Sequence, residues 1–370
     1  MAEKILVITG PTATGKTRLS VELAKSFNGE VVSADSMQIY RGMDIGTAKV
    51  TQAEMQGVSH HMIDIADPAE DYSVSRYVEE ADKAVRDILS RGKLPIIAGG
   101  TNLYIDSLIA GLDFAERAED AALRASLNER YDDIGGEAML EYLRGFDPER
   151  AEKLHAADKR RIVRAIEVYT LTGETITRHD VETRKRPKRY DAVKIALTFA
   201  DRTVLYDRIN TRVDKMVADG LFDEVKGLLD AGLSPACTAM QAIGYKEPAA
   251  YFKGEISKDE AIELIKLSSR RYAKRQLTWL RRDGSVRWYE WPAEPDFSEA
   301  LLRLVDDGQW IADSWWCAAT PHGLNFTSSV TYGDTFPSKG KAECRQILHQ
   351  ISTISSYTKC HGFGRTNVNS

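Results

Sequence analysis

The sequence predicts an α/β fold: a P-loop parallel sheet core with helices on both faces and a helical insertion domain. Three observations carry this. A short apolar run, KILVIT (4–9), leads straight into the glycine-bearing loop GPTATGKT. Apolar runs of strand length then alternate with segments of helical period, the order of a parallel sheet covered on both faces. From about residue 115 to 190 the strands stop and the chain becomes charged and helical.

The elements follow in order. KILVIT is a buried strand, and Leu19, Leu23 and Phe27 after the loop form a helical stripe. EVVSA and LPIIA are further buried strands, separated by an amphipathic helix marked by Tyr77, Ala81, Ala84, Val85 and Ile88. VKIALTF (193–199) and VRWYEW (286–291) read as later strands of the same sheet. In the insertion, EAMLEYLRGF and RRIVRAIEVYTLTG are helices, the second ending near Gly173, and the basic stretch ending RKRPKRY is the return linker. Two long helices follow VKIALTF. The first has Asp201 as N-cap and Leu205, Ile209, Val213 and Met216 as its apolar stripe, flanked by Arg208 and Arg212. The second opens at Ser257 with Glu260 three residues on, a capping box. There Ile265, Ser269, Tyr272, Gln276 and Leu280 read as a packing face, with Arg271, Lys274, Thr278 and Arg282 on another. The expected organisation is residues 1–114, first part of the core; 115–190, the helical insertion; 191–300, second part of the core with the basic C-terminal helix; and 301–370, a tail expected to be disordered or loosely packed.

Composition excludes several classes. The formal net charge of −5, from 50 basic and 55 acidic residues, argues against indiscriminate nucleic-acid binding. The basic residues nevertheless cluster, at 159–164, 178–189 and 270–282, which favours one basic face and a polyanionic partner. No run is long and apolar enough to cross a membrane, and no targeting segment is read, so the expectation is a cytoplasmic protein. None of Cys237, Cys317, Cys344 and Cys360 sits in a Cys-x-x-Cys pair, so free thiols are expected rather than a zinc site. His60-His61 reads as a strand-edge or packing pair.

The loop Gly10, Pro11, Thr12, Ala13, Thr14, Gly15, Lys16, Thr17 lies between a strand and a helix, the setting in which such a motif holds phosphates. Backbone N–H groups and the helix N-terminus form an anion nest. Lys16 adds a point charge, and the Thr17 hydroxyl suits Mg²⁺ bridging two phosphate groups. Nothing in the loop recognises a nucleoside. LPIIA ends in Gly99-Gly100-Thr101 rather than in the acid that a phosphoryl-transfer enzyme places there. Thr101 offers a neutral hydroxyl. Asp35, after EVVSA, is suited either to a metal or to a proton from a substrate amine. The residues alone therefore allow an ATP-dependent small-molecule kinase or an enzyme that grips a diphosphate leaving group while carbon is attacked.

The segments GPTATGKT, SADSMQIYRGMDIGTAK, HHMIDI, IIAGGTNLY, DKRRIVRAIEVY, RINTRVDKMVADGLFDEV, AIGYKE and RRYAKRQLTWLRR, spanning roughly residues 4–291, resemble the bacterial tRNA dimethylallyltransferases. The resemblance implies transfer of a dimethylallyl group from dimethylallyl diphosphate to the exocyclic N6 amine of the adenosine immediately 3′ of the anticodon, in tRNAs reading U-initial codons. It implies Mg²⁺, tRNA as partner through its anticodon stem-loop, and a monomer. Asp35 would be the general base, with Thr101 and Arg212, chosen over Arg208, beside the diphosphate. Asp35, Ser36, Met37 and Gln38 would face the target base and its neighbours. Arg160, Arg161, Ile162, Val163 and Arg164 would approach the RNA stem or loop, making the insertion a tRNA-binding domain. Gln241, Ile243, Gly244, Tyr245 and Lys246 would read flanking bases. A related alternative is an isopentenyltransferase acting on free adenine nucleotides. The tail is assigned no function.

Overall fold

The computed structural model describes residues 2–112, 120–185 and 187–306. Strand β1 (Glu3–Thr9) is followed by the phosphate-type loop and helix α1 (Lys16–Ser26). Then come β2 (Gly29–Ser33), the short α2 (Gln52–Met55), the two-residue β3 (His60–His61), α3 (Val74–Ser90), β4 (Leu94–Ala98) and α4 (Asn102–Ala110). Helices α5 (Ala121–Ile134), α6 (Gly136–Arg144), α7 (Pro148–Glu152), α8 (Lys159–Thr172) and α9 (Ile176–Lys185) follow. Their apolar faces, with Met139, Leu143, Ile162 and Ile166 at the centre, form a core of their own. Gly173 in the left-handed region ends α8, whereas α9 runs into the basic stretch read as a linker.

The chain returns through β5 (Tyr190–Phe199), α10 (Arg202–Ala218), α11 (Leu221–Asp230), α12 (Lys246–Phe252), α13 (Lys258–Leu280), β6 (Arg287–Trp291) and α14 (Phe297–Asp306). Asp201 caps α10 by accepting from the Thr203 N–H, and both halves of the Ser257–Glu260 capping box form at α13. α14 crosses the expected boundary at residue 300. Its Ala300 and Leu301 are buried against α1's side of the sheet. Ten residues were too short a run to show a sustained period in the sequence. The rest of the expected tail, 307–370, with Cys317, Cys344 and Cys360, lies outside the described residues; Cys237 is a free thiol.

The six strands are all parallel, in the order β3-β2-β4-β1-β5-β6. Alternation along β1 divides the core. Ile5 and Val7 join the cluster under α3, α4 and α11, while Leu6 and Ile8 join the cluster under α1, α10 and α13.

The β3 edge is held by charge. Glu30 on β2 is 3% exposed and accepts hydrogen bonds from Arg91 (2.5 and 2.8 Å) and Lys93 (2.7 Å), with His61 Nε2 at 2.8 Å. Arg91, against the opposing cost of burial, and then Lys93 and His61 hold its carboxyl well below the usual carboxylate range. Because the folded pKa is depressed, this stabilisation is fully present above the ordinary glutamate range and is lost progressively as pH falls from there toward the depressed folded value. Glu30→Gln is expected to cost ~1–3 kcal/mol at neutral pH. In urea unfolding, the difference from wild type should shrink as pH is lowered below about 4; a pH-independent difference would contradict this account.

Candidate functional site

β2, β4 and β1 are neighbours and run in one direction, so the loops after their C-terminal ends open on one edge of the sheet. Those loops carry Asp35, Thr101 and Lys16.

At the start of the phosphate-type loop Gly10 has φ 133°, and a Cβ there would lie 2.4 Å from the Leu197 carbonyl oxygen on β5. Only glycine allows this exit from β1. Thr14 Oγ1 and Lys16 Nζ both donate to the Pro11 carbonyl, at 2.8 and 2.7 Å. Three side chains brace the loop from behind. Arg208 Nε donates to Ala13 O (3.2 Å), Trp291 Nε1 donates to Thr14 O (2.9 Å), and Gln276 Oε1 accepts from the Thr12 N–H (3.3 Å). Holding the carbonyls of Ala13 and Thr14 from behind turns the N–H groups of Thr14 and Gly15 the other way, because a trans peptide opposes the two. Gly15 begins α1 with no side-chain cap, leaving the first helical N–H groups for an anion. Thr17 is exposed at this end of α1.

Two cations converge on the nest. Burial, then the charge of Arg212, pushes the Lys16 ammonium down to about 7, with Asp35 opposing. Burial also lowers the Arg212 guanidinium, again opposed by Asp35. Arg212 has no hydrogen bond or ion pair among the described residues, whereas Arg208, one turn earlier on α10, is committed to Ala13. This arrangement calls for a multiply charged anion.

Asp35 is oriented by its own turn: Oδ1 accepts from the N–H groups of Met37 (2.9 Å) and Gln38 (3.4 Å). Oδ2 has no hydrogen-bond partner among the described residues and is left to accept a proton. Thr101 Oγ1 accepts from the Ser36 N–H at 3.1 Å and lies 3.4 Å from Ser36 Oγ, tying the β4 loop to the Asp35 loop. Gln38 is fixed by Ser33 Oγ and by the carbonyls of Thr47 and Ala48, while Met37 packs against the core.

The helical stripe of α13 predicts a packing role for Gln276 and Tyr272. Gln276 instead joins Thr12 to Gly100, donating Nε2 to the Gly100 carbonyl at 2.9 Å. Tyr272 reaches Thr101 and Gln276; burial, then the charge of Asp35, pushes its phenol up to about 12, so it stays protonated. An amide on the packing stripe is the sequence signal for Gln276, and nothing comparable marks Tyr272.

The remaining expected residues divide. Arg160 and Arg161 are exposed at the start of α8, with no ion pair among the described residues. Arg164 is 2.9 Å from the buried Glu167. The expectation of RNA contact through the side chains of Ile162 and Val163 is corrected. They are 0% and 3% exposed, because the helical turn carries them into the insertion's core. Tyr245 is also buried, under Gly46, so its side chain cannot read a base in this conformation. Gln241 and Lys246 are exposed, Gly244 has φ 91°, and Ile243 is half-buried. Of the second basic cluster, Arg178 pairs with Glu182 and Arg189 with Asp82.

The IPP transferase family model matches residues 38–283. The tRNA dimethylallyltransferase of Bacillus cytotoxicus is 51% identical over 304 residues, covering 82% of this chain and 95% of that one. Its counterpart in Thermoanaerobacter pseudethanolicus is 48% identical over 306 residues, covering 82% and 97%. Among solved structures, the full-length tRNA isopentenylpyrophosphate transferase of Bacillus halodurans aligns with TM-score 0.63 and 43% identity, covering 86% of this chain and 98% of that one. A eukaryotic dimethylallyltransferase described as acting on tRNA aligns with TM-score 0.71 and 29% identity, covering 84% and 80%.

Lys16 is expected to make anion binding pH-dependent. Burial holds it increasingly neutral above about pH 7, and an anion seated there would restore its proton. Binding of inorganic diphosphate is therefore expected to take up a proton and to weaken as pH rises from about 7 to 9. Calorimetry in buffers of different ionisation heat reads the uptake. Lys16→Arg, charged throughout, should remove that component, and equal uptake by both proteins would exclude Lys16 as its source.

Proposed function

The chain belongs to the IPP transferase family, the tRNA dimethylallyltransferases, and on that premise we propose how its residues carry out the transfer. It is a transferase that moves a dimethylallyl group to tRNA. The donor is dimethylallyl diphosphate, and the acceptor is the N6 amine of the adenosine immediately 3′ of the anticodon in tRNAs reading U-initial codons. The observation that carries the reading is the pairing of an anion nest under two poorly solvated cations with one oriented carboxylate, on a single sheet edge.

The adenine amine is a weak nucleophile because its lone pair is delocalised into the ring. As its nitrogen bonds to the primary allylic carbon, the carbon–oxygen bond breaks and its electron pair leaves with diphosphate. The nitrogen then becomes acidic, and Asp35 Oδ2 takes its proton. Negative charge grows on the leaving oxygens, where Lys16, Arg212 and the α1 N-terminus stabilise it more than in the ground state. Thr101 holds the Asp35 loop against the donor side through Ser36. The target base must leave the anticodon stack to reach Asp35.

Mg²⁺ fits the residues present. Thr17 offers a hydroxyl beside the nest, and among the described residues no group of three acidic, histidine or cysteine side chains forms a cage. The ion would rest on Thr17, donor oxygens and water, and when bound it neutralises diphosphate charge. To the exposed Arg160, Arg161, Gln241 and Lys246 we assign contact with the RNA. Among the described residues no helix is long and apolar enough to cross a membrane. We read the protein as a monomer acting where tRNA is, in the cytoplasm.

The test is a transfer assay with allyl-labelled dimethylallyl diphosphate, Mg²⁺ and unmodified tRNA, comparing adenosine with guanosine 3′ of the anticodon. Label on the adenosine tRNA alone is expected; label on free adenine nucleotides alone would overturn the tRNA reading. Asp35→Ala should slow single-turnover transfer by ~10²–10⁴, and an unchanged rate would remove it as base. Replacing Arg160 and Arg161 by alanine should reduce the salt slope of tRNA binding by about one unit per lost phosphate contact. An unaltered slope would leave them as ordinary surface charge.

A further inference from the structure

One carboxylate outside the reacting centre holds together both loops expected to meet RNA. The turn after Asp35 presents three successive backbone N–H groups to Glu224: Asp44 at 2.9 Å and Ile45 at 2.7 Å to Oε2, and Gly46 at 3.2 Å to Oε1. The Tyr245 hydroxyl donates to the same Oε1 at 2.5 Å. Glu224 lies in the first turn of α11, where the helix end favours its charge. A Cβ on Gly46 would come within 2.4 Å of the Tyr245 ring, so the two segments meet closely only because residue 46 is glycine. The same turn continues to the Thr47 and Ala48 carbonyls, which receive Gln38 Nε2, and the Gln38 N–H is held by Asp35. A continuous set of hydrogen bonds thus runs from the proposed base to the segment Ile243–Lys246. The phosphate-type loop is braced separately, by Gln276, Arg208 and Trp291.

Resting on the tRNA reading above, we propose that Glu224 is a positioning residue for the RNA acceptor, locking the Asp44–Gly46 turn to the Tyr245 segment so that both loops meet tRNA in one geometry. Burial, then the Glu224 charge, pushes the Tyr245 phenol up, so it remains a donor. Without Glu224 the turn samples other conformations, and tRNA binding must select the competent fraction. The donor nest is unaffected.

Glu224→Gln keeps the shape but loses the charge that gathers four donors. In steady-state transfer to tRNA, KM for tRNA is expected to rise roughly tenfold or more, with little change in kcat. The calorimetric Kd for inorganic diphosphate should stay at the wild-type value. Tyr245→Phe removes one of the four donors and should shift KM in the same direction by less, providing a second reading if Glu224→Gln folds poorly. Unchanged tRNA KM in both variants, or diphosphate affinity falling in step with it, would overturn the proposal. Absence of transfer to tRNA by the wild type would instead remove the reading on which it rests.

Discussion

The parallel register of β2, β4 and β1 is the constraint on which the site depends. Ala98 is level with Ser33 on one side and with Ile8 on the other. Asp35 therefore emerges two residues beyond the same level from which Gly10 leaves β1, with Thr101 from β4 between them. A slip of one residue in either pairing would turn the strands' apolar residues to the wrong face. It would also separate the carboxylate from the nest. Burial of Leu6, Ile8, Val32 and Ile97 thus does more than stabilise the sheet. It sets the distance between Asp35 and the loop after β1.

The site is also short of negative charge. Lys16 and Arg212 are drawn away from water without a full complement of partners, and Asp35 is the carboxylate that opposes both shifts. Such a region is poorly solvated until a polyanion arrives. The cost is borne by the packing behind it: the indole of Trp291, the Arg208 guanidinium over the Phe199 ring at 5.2 Å, and the Gln276 amide. Rigid support of this kind is what makes a preformed electrostatic environment effective, since little reorganisation accompanies the reaction.

Much of this can be read from residue order. The apolar runs, the glycine loop, and the caps at Asp201 and Ser257 are local signals, and each led to the element expected of it. Asp35, Thr101 and Lys16 could be singled out because each follows a strand. What periodicity could not show was which polar residue on a packed face looks inward. Gln276 and Tyr272 share a stripe with Ile265 and Leu280, yet they border the site. The reverse holds at Ile162, Val163 and Tyr245, which the family resemblance sets against RNA and which helical phase or a glycine contact buries. Glu224 was hidden for another reason: its backbone partners lie about 180 positions away, and no local pattern announces a backbone turn as a carboxylate's ligand.

The chain's last described helix has a consequence for the order in which the protein is assembled during synthesis. The Phe297 ring lies against Gly15, and the Arg18 guanidinium sits 4.4 Å above it. Trp291 reaches Thr14 across 277 positions. β1 likewise waits for Tyr190 and beyond before its second neighbour exists. The helices from Ala121 to Lys185, by contrast, find their core among themselves and can pack while the sheet is still half built. On a ribosome the helical insertion can therefore mature before the phosphate-type loop is braced. A chain interrupted before its final helices would leave the phosphate-type loop without its Trp291 and Phe297 contacts.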